Sequence, residues 1–557
     1  MTGRIIECVP NFSEGRDPKI IQQITQVIQQ VDGVRLLDVD PGKATNRTVV
    51  TFVGSPEAVI EGAFQAIKMA ASLIDMRHHS GEHPRMGATD VCPLIPIAGI
   101  SLEETAQFAH KLAERVGSEL HIPAFMYEAS ATRPERKNLA TIRAGEYEGL
   151  EAKLKLDQWT PDYGPRAFNA QAGATVIGAR DFLVAYNVNL NTTSVRKANS
   201  VAFDVRENGR VKTENGKNVL DEKGEPVRIP GKCKSVKAIG WYIEEYGIAQ
   251  ISMNLTNINH TPLHIAFDAC EESAFKRGLR VIGSELVGMV PLKVLTDAGR
   301  HFLQKQGLST GVSEAELIRI AIKSLGLDAV GPFDPQQKVI EYQMRDQSSE
   351  NLVRMNLRAF ADETASESPA PGGGSIAAYV GSLGASLATM VANLSANKKG
   401  WENQMQSFSD WAEQGQAIKD KLLHLVDADT AAFNGIMAAF QLPKSNESEI
   451  EARKAAIQDA TKVAIQIPYE VMQTTQQSLP LIRAMVERGN PNSLSDAGVA
   501  ALCARTAIHG GHLNVLINAG GYKDKSWLDQ ILPEAEKIVV EVDLFETEIL
   551  EKVRKEI

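Results

Sequence analysis

An α+β part followed by an all-helical part is what three features of this chain predict. The first is size: 557 residues and 60.6 kDa exceed what one core holds, since single domains run to about 100–200 residues. The second is an uneven charge. Residues 1–340 carry 39 basic and 40 acidic side chains, whereas residues 341–557 carry 20 and 29. The third is a change of pattern, from β-branched runs at 34–39, 48–53 and 182–188 to apolar residues spaced three and four apart.

Taken in order, a strand at 5–9 ends at Pro10, and strands at 34–39, 48–53, 93–97 and 123–128 alternate with helical patterns at 18–31, 56–75 and 101–117. That order is a split βαβ arrangement. A second series follows, with strands near 174–190, 236–243 and 249–255, helices near 192–206, 262–277 and 313–325, and an inserted loop at 207–235. A boundary near 178 divides the first part into subdomains 1–178 and 179–327. Gly331, Pro332 and Pro335 mark 328–345 as a linker. Over 346–557, helices are expected at 350–365, 375–396, 402–440, 447–475, 476–488, 495–518 and 526–555, a helical bundle.

Composition narrows the function. With 43% hydrophobic and 23% charged residues the chain can bury real cores, so disorder is excluded. A net charge of −10 argues against nucleic acid or an anionic membrane as partner. Five scattered cysteines without a C-x-x-C pair fit reduced thiols in a cytoplasmic enzyme. The N-terminus shows no export signal. No charge falls between Glu367 and Lys398, long enough to span a bilayer, but its Ala, Gly and Ser content favours close packing in a soluble bundle.

Residues 75–92, DMRHHSGEHPRMGATDVC, concentrate three histidines, two arginines and carboxylates. His78 and His79 read as a solvated turn. Pro84 disfavours the α region for His83 and holds it on an extended loop, where a neutral imidazole suits proton transfer to and from an amine. Asp90 or Glu82 would orient it. A His79–His83 zinc pair is the weaker alternative, because the proline opposes a helix across both. Arg47, Arg85 and Arg143 are candidates for anionic ligands, against surface ion pairs as the plain alternative; Arg47 stands beside Asn46, after a turn at Asp40. Asn11 and Ser13 follow the first strand, and Ser13 is either a ligand contact or a helix N-cap, with Asp17 the other cap candidate.

In the helical part, Pro371, Gly372, Gly373, Gly374 and Ser375 precede an uncharged helix whose first N–H groups suit an anion, or form a simple helix-starting turn. Asp427 and Asp429 interrupt an apolar helical run, where a buried carboxylate is costly unless used or paired. Residues i and i+2 diverge by about 200° on a helix, so at most one faces a given cleft. His509 and His512 are two metal-type ligands without a third, which favours packing or ligand contact.

The segments ECVPNFSEGRD (7–17), LLDVDPGKATNRTVVTFVG (36–54), GEHPRMGATDVCPLIPI (81–97) and IRAGEYEGL (142–150) resemble the formiminotransferase half of the formimidoyltransferase-cyclodeaminase family. The PGGGS helix start, the Asp-x-Asp helix and SDAGVAAL–ARTAIHGGHLNVLIN resemble its cyclodeaminase half. The resemblance implies transfer of a formimino group from N-formimino-L-glutamate to N5 of tetrahydrofolate with His83 as acid/base. It further implies cyclisation to 5,10-methenyltetrahydrofolate with loss of ammonia at Asp429, Asp427 being the less favoured neighbour. It places folate on Gly164, Pro165, Arg166, Ala167, Phe168, Asn169, Ala170, Gln171, Ala172 and Gly173, and implies self-association into a dimer or higher oligomer. No metal is required.

A polyglutamate tail would tether the folate between the two sites, and eight basic residues in 210–237 form either its landing strip or a solvated loop. A formyl donor, or a non-catalytic folate-binding scaffold, are the rival readings.

Overall fold

The computed structural model describes residues 4–42, 46–81, 84–244, 246–344 and 351–557. They form two compact units, one of 1–292 with 327–344 and one of 293–326 with 345–557.

The first unit holds two sheets. In the first, β1 (Ile5–Cys8) and β2 (Asn11–Phe12) lie end to end between β4 (Arg47–Gly54) and β5 (Thr89–Ala98). Pro10 has no N–H to donate and interrupts the ladder, while its carbonyl still accepts from Val50. The expected helix start after Pro10 is therefore a strand, and α1 (Pro18–Gln29) begins later with Asp17, not Ser13, as its cap. β3 (Val34–Gly42) pairs with β4 on one side, and β7 (Thr175–Ala179) runs parallel to both β5 and β6 (Ala124–Met126) on the other. α2 (Pro56–Leu73) and α3 (Leu102–Glu119) join α1 on one face, burying Ile6, Cys8, Phe52, Cys92 and Leu94 against Ile28, Ile67 and Leu112. Two short helices, α4 (Leu139–Arg143) and α5 (Glu146–Leu154), follow β6.

The second sheet has the order β13-β14-β8-β15, formed by β8 (Val184–Leu190), β13 (Val236–Ile243), β14 (Ile248–Leu255) and β15 (Val281–Val287). With α6 (Val195–Val205) and α7 (Leu263–Phe275) it repeats the split βαβ order of the first sheet, where β3-β4-β1-β5 occupy the same places. The expected run at 174–190 is two strands, β7 and β8, one in each sheet. The inserted loop carries four two-residue strands, β9 to β12 (Arg210–Val211, Thr213–Glu214, Lys217–Asn218, Arg228–Ile229). Within 328–344 lie α10 (Pro335–Lys338) and α11 (Ile340–Met344); Ile340 and Met344 are buried against Val53, Leu37, Ile97 and Phe182. Its end, from Val339 to Met344, is packed into the first unit, while 328–332 are exposed.

The second unit is all-helical. It takes in α8 (Leu292–Lys305) and α9 (Glu314–Leu325), then α12 (Leu357–Thr364), α13 (Gly373–Ala396), α14 (Met405–Gln441), α15 (Glu447–Gln476), α16 (Leu479–Arg488), α17 (Leu494–Ala519) and α18 (Lys525–Glu556). Small residues let helices approach: a Cβ on Gly384 would meet Cys503 Cβ at 2.9 Å, and one on Gly510 would meet Ala377 Cβ at 2.9 Å. α13 is the one helix among the described residues long and apolar enough to cross a membrane, and 61% of its apolar window is buried.

Candidate functional sites

In the first unit the polar residues converge on the start of β5. Asp90 is 1% exposed. Arg143, at the end of α4, donates to it through Nε at 3.2 Å and Nη2 at 2.5 Å; Arg47, opening β4, donates through Nη1 at 3.2 Å; and the Met86 N–H completes the set at 3.1 Å. Arg47 Nε also donates to Asn11 Oδ1 at 2.9 Å. Burial pushes the Arg47 guanidinium down to about 10, against the opposing effect of Asp90. Two guanidiniums thus meet one buried carboxylate, which fixes the position of both. Arg143 also lines a cavity of about 480 Å³ together with Tyr127, Glu128, Arg180, Asp181 and Lys237. Glu7 on β1 is 4% exposed, and burial pushes its carboxyl up to about 7 against the pull of Arg180.

His83 and Glu82 lie outside the described residues; residues before and after them are held by hydrogen bonds. Asn46, held at φ 48°, accepts from the Gly15 N–H at 3.0 Å and donates to the Ser80 carbonyl at 3.0 Å. Arg85 donates to His79 Nδ1 at 3.2 Å, so Nε2 of that ring carries the proton given to the Asn46 carbonyl at 2.9 Å. Burial lowers the His79 pKa and favours this neutral ring. His79 is therefore part of a bonded network. Arg85 itself forks onto Glu148 at 2.7 and 2.9 Å and reaches Glu146 at 3.1 Å. Ser13 gives its hydroxyl to the Gly87 carbonyl at 2.8 Å, and Asp40 is exposed.

The stretch 164–173 is stitched to the far end of the same loop. Gly87 and Gly173 form a bridge, and the Ala88 N–H donates to the Ala172 carbonyl at 2.9 Å. Gly173 sits at φ +70°, and a Cβ there would come within 2.2 Å of the Met86 carbonyl. Asn169 and Gln171 tie the segment down, Asn169 Oδ1 accepting from Ala172 N–H and the exposed Gln171 donating to the Ala71 carbonyl. Arg166 donates to the Leu154 and Lys155 carbonyls, and Phe168 packs against Tyr147.

In the helical unit the two aspartates of α14 separate as their helical spacing requires. Asp427 accepts the N–H groups of Leu352 at 2.8 Å and Val353 at 3.3 Å. Asp429 faces the first turn of α13, where Ser375 Oγ lies 3.0 Å from its Oδ2. Gly374 is required here: a Cβ would stand 2.2 Å from Asp429 Oδ1. Gly372 caps α13 without a side-chain bond, and a Cβ on Gly373 would lie 3.2 Å from Asn514 Nδ2. Burial raises the Asp429 pKa, partly offset by hydrogen bonds from Ser375. His509 pairs with Asp543 at 2.8 Å and His512 with Glu536 at 3.4 Å. No group of three or more His, Cys, Asp or Glu able to hold a metal is found among the described residues.

Arg180, Glu7 and Asn514 were not singled out from the sequence. Arg180 directly follows a buried strand, a position at which a charge needs a reason. Asn514 stands one turn beyond Gly510, on the face that packs closely against α13.

A cluster of buried charges beside a cavity in an α+β part and a half-buried acid at a helix N-terminus in an all-α part define a two-site enzyme architecture. Family models cover both: "Formiminotransferase domain, N-terminal subdomain" matches 5–180, "Formiminotransferase domain" matches 185–345, and "Formiminotransferase-cyclodeaminase" matches 356–537. The formimidoyltransferase-cyclodeaminase of Rattus norvegicus is 43% identical over 516 residues, 92% of each chain. The glutamate formimidoyltransferase of Streptococcus pyogenes is 42% identical over 54% of this chain and 94% of its own. The methenyltetrahydrofolate cyclohydrolase of Methylorubrum extorquens is 34% identical over 36% of this chain and 97% of its own. The chain belongs to the formimidoyltransferase-cyclodeaminase family.

Proposed function

We propose that this chain is a bifunctional folate enzyme of histidine degradation. The first unit moves the formimino group of N-formimino-L-glutamate to N5 of tetrahydrofolate. The second closes N10 onto the formimino carbon, expelling ammonia and leaving 5,10-methenyltetrahydrofolate.

Moving an amidine carbon between two amines passes through a tetrahedral centre. A proton leaves the attacking N5 and another reaches the departing glutamate nitrogen, and one imidazole, His83, serves both steps. The observation that supports this reading is the stitching of 164–173 to Gly87 and Ala88, which follow His83 closely in the chain. Arg47 and Arg143 around Asp90 supply positive charge for a glutamate carboxylate. In the second reaction Asp429, whose burial favours the protonated carboxyl, delivers a proton to the leaving ammonia.

The reading includes a polyglutamylated folate, supported by the basic insertion at 210–237, and no metal. It includes neither nucleic acid nor membrane as partner. The five cysteines are all free, which supports a cytoplasmic setting. Exposed Leu383, Leu394, Leu513, Ile517 and Leu544 support a homo-oligomer of two or more copies. Incubation with formiminoglutamate and tetrahydrofolate, following ammonia and the absorbance of the cyclised product, tests both steps; formylglutamate in place of the donor tests the rival.

A second reading of the helical part rests on the Methylorubrum relative, named a cyclohydrolase. Hydrolysis of the cyclised product would then follow its formation, and a stable absorbance after supplying that product alone excludes it.

A further inference from the structure

A buried acid that gives up and regains a proton in each turnover has to be hydrogen-bonded in both of its states. An ionised carboxylate needs a donor; a protonated one needs an acceptor for its new O–H. A backbone N–H or a guanidinium serves only the first state. A hydroxyl serves both, provided that it has somewhere else to send its own proton.

Ser375 meets that condition. It is 0% exposed, so its side chain is shielded from substrate. Its Oγ lies 3.0 Å from Asp429 Oδ2, 2.9 Å from the Val426 carbonyl and 3.3 Å from Thr430 Oγ1. One proton therefore has two good acceptors, the carboxylate and a carbonyl one turn earlier on α14. We infer that Ser375 is a positioning residue for the cyclodeaminase acid, turning its hydroxyl toward Asp429 when the carboxylate is ionised and toward the Val426 carbonyl, while accepting from Asp429, when the carboxyl is protonated.

The inference rests on the reading of Asp429 as the acid. Little else competes for that carboxyl's charge. α13 carries no charged side chain. On α14, Asp427 is bound to the Leu352 and Val353 N–H groups, and His424 is exposed. Arg354 and Arg358 lie on the segment leading into and starting α12; on α17, His509 and His512 pair with Asp543 and Glu536. None of these contributes to the shift at Asp429, which comes from burial opposed by the Ser375 hydroxyl and N–H. Because hydrogen bonds to the charged form lower a carboxyl's pKa, removing the hydroxyl moves it further up.

The test supplies 5-formiminotetrahydrofolate to the full-length chain and follows ammonia release from pH 5.5 to 9 for wild type, Ser375→Ala, Ser375→Cys and Asp429→Asn. For Ser375→Ala the expected result is a kcat about tenfold to a hundredfold lower, with KM within about twofold and the kcat limb assigned to Asp429 displaced upward by about one pH unit. Ser375→Cys, a near-isostere with a weak donor, shifts the limb in the same direction by less, and serves alone should the alanine variant fail to fold. Far-ultraviolet circular dichroism of the same chains, to which the long helices of the second unit contribute, reports on folding. A lower kcat with an unmoved limb, or a rise in KM alone, overturns the inference. Full activity in Asp429→Asn instead overturns the reading beneath it, so the two failures are told apart.

Discussion

Asp90 and Asp429 are both carboxylates drawn into the protein, and they are treated in opposite ways. Asp90 is enclosed by two guanidiniums and a backbone N–H. Among the described residues Asp429 meets a serine and the start of a helix and no cation. The first arrangement fixes a charge and the geometry of two arginines around it; the second leaves a proton free to come and go. Glu7 stands between them, buried near Arg180 but not bonded to it in the manner of Asp90, and it is pushed up to about 7.

The largest effect is expected where the proton moves. Asp429→Asn keeps the shape but cannot titrate, and ammonia release should fall by about a thousandfold while formimino transfer stays within about twofold. Comparable loss of both activities would erase the distinction between the sites. Asp90→Ala leaves Arg47 and Arg143 facing each other without their acid, at a cost of about 4 kcal/mol read as a lower denaturation midpoint for the first unit. A loss below 1 kcal/mol would mean that the arginines are hydrated.

For Glu7 the sign follows from its raised pKa. Between 4.5 and about 7 the folded chain holds the proton and the unfolded chain does not, so stability from this group is present at low pH and is lost as pH rises through about 7. Glu7→Gln should therefore stabilise the first unit by about 3 kcal/mol at pH 8, with the difference vanishing near pH 4. Thermal melts at both pH values check it; equal gains at both would assign the effect to packing. The smallest effect is at Gly374, where the methyl of Gly374→Ala pushes Asp429 aside and slows cyclisation about tenfold, measured as ammonia release. An unchanged rate would mean that Asp429 has room to spare.

Much of the fold can be read from residue patterns. From α13 onward the helices of the second unit lie within a few residues of their expected ranges, because their periodicity is long and uninterrupted, whereas α12 starts later than expected. β15 and α8 were not anticipated: VIGSELV alternates too weakly, and α8 follows it with only a short turn between. The strand after Pro10 was hidden because a proline usually ends a strand, and here the ladder resumes on the same two neighbours. At the sites, helical spacing alone separated Asp427 from Asp429, since it is a local rule. What Arg85 and His79 bind depends on Glu146, Glu148 and Asn46, brought from elsewhere in the chain, and no local pattern carries that information.

The central claim is that two proton-transfer centres on one chain act in sequence on one folate. Mixing His83→Ala with Asp429→Asn, in the presence of formiminoglutamate and tetrahydrofolate, tests it most directly. Neither variant alone should release ammonia above about one part in a hundred of the wild-type rate, and the mixture should recover it, because each supplies the step that the other lacks. Ammonia from either variant alone at the wild-type rate, or a mixture as silent as its components, would contradict the account.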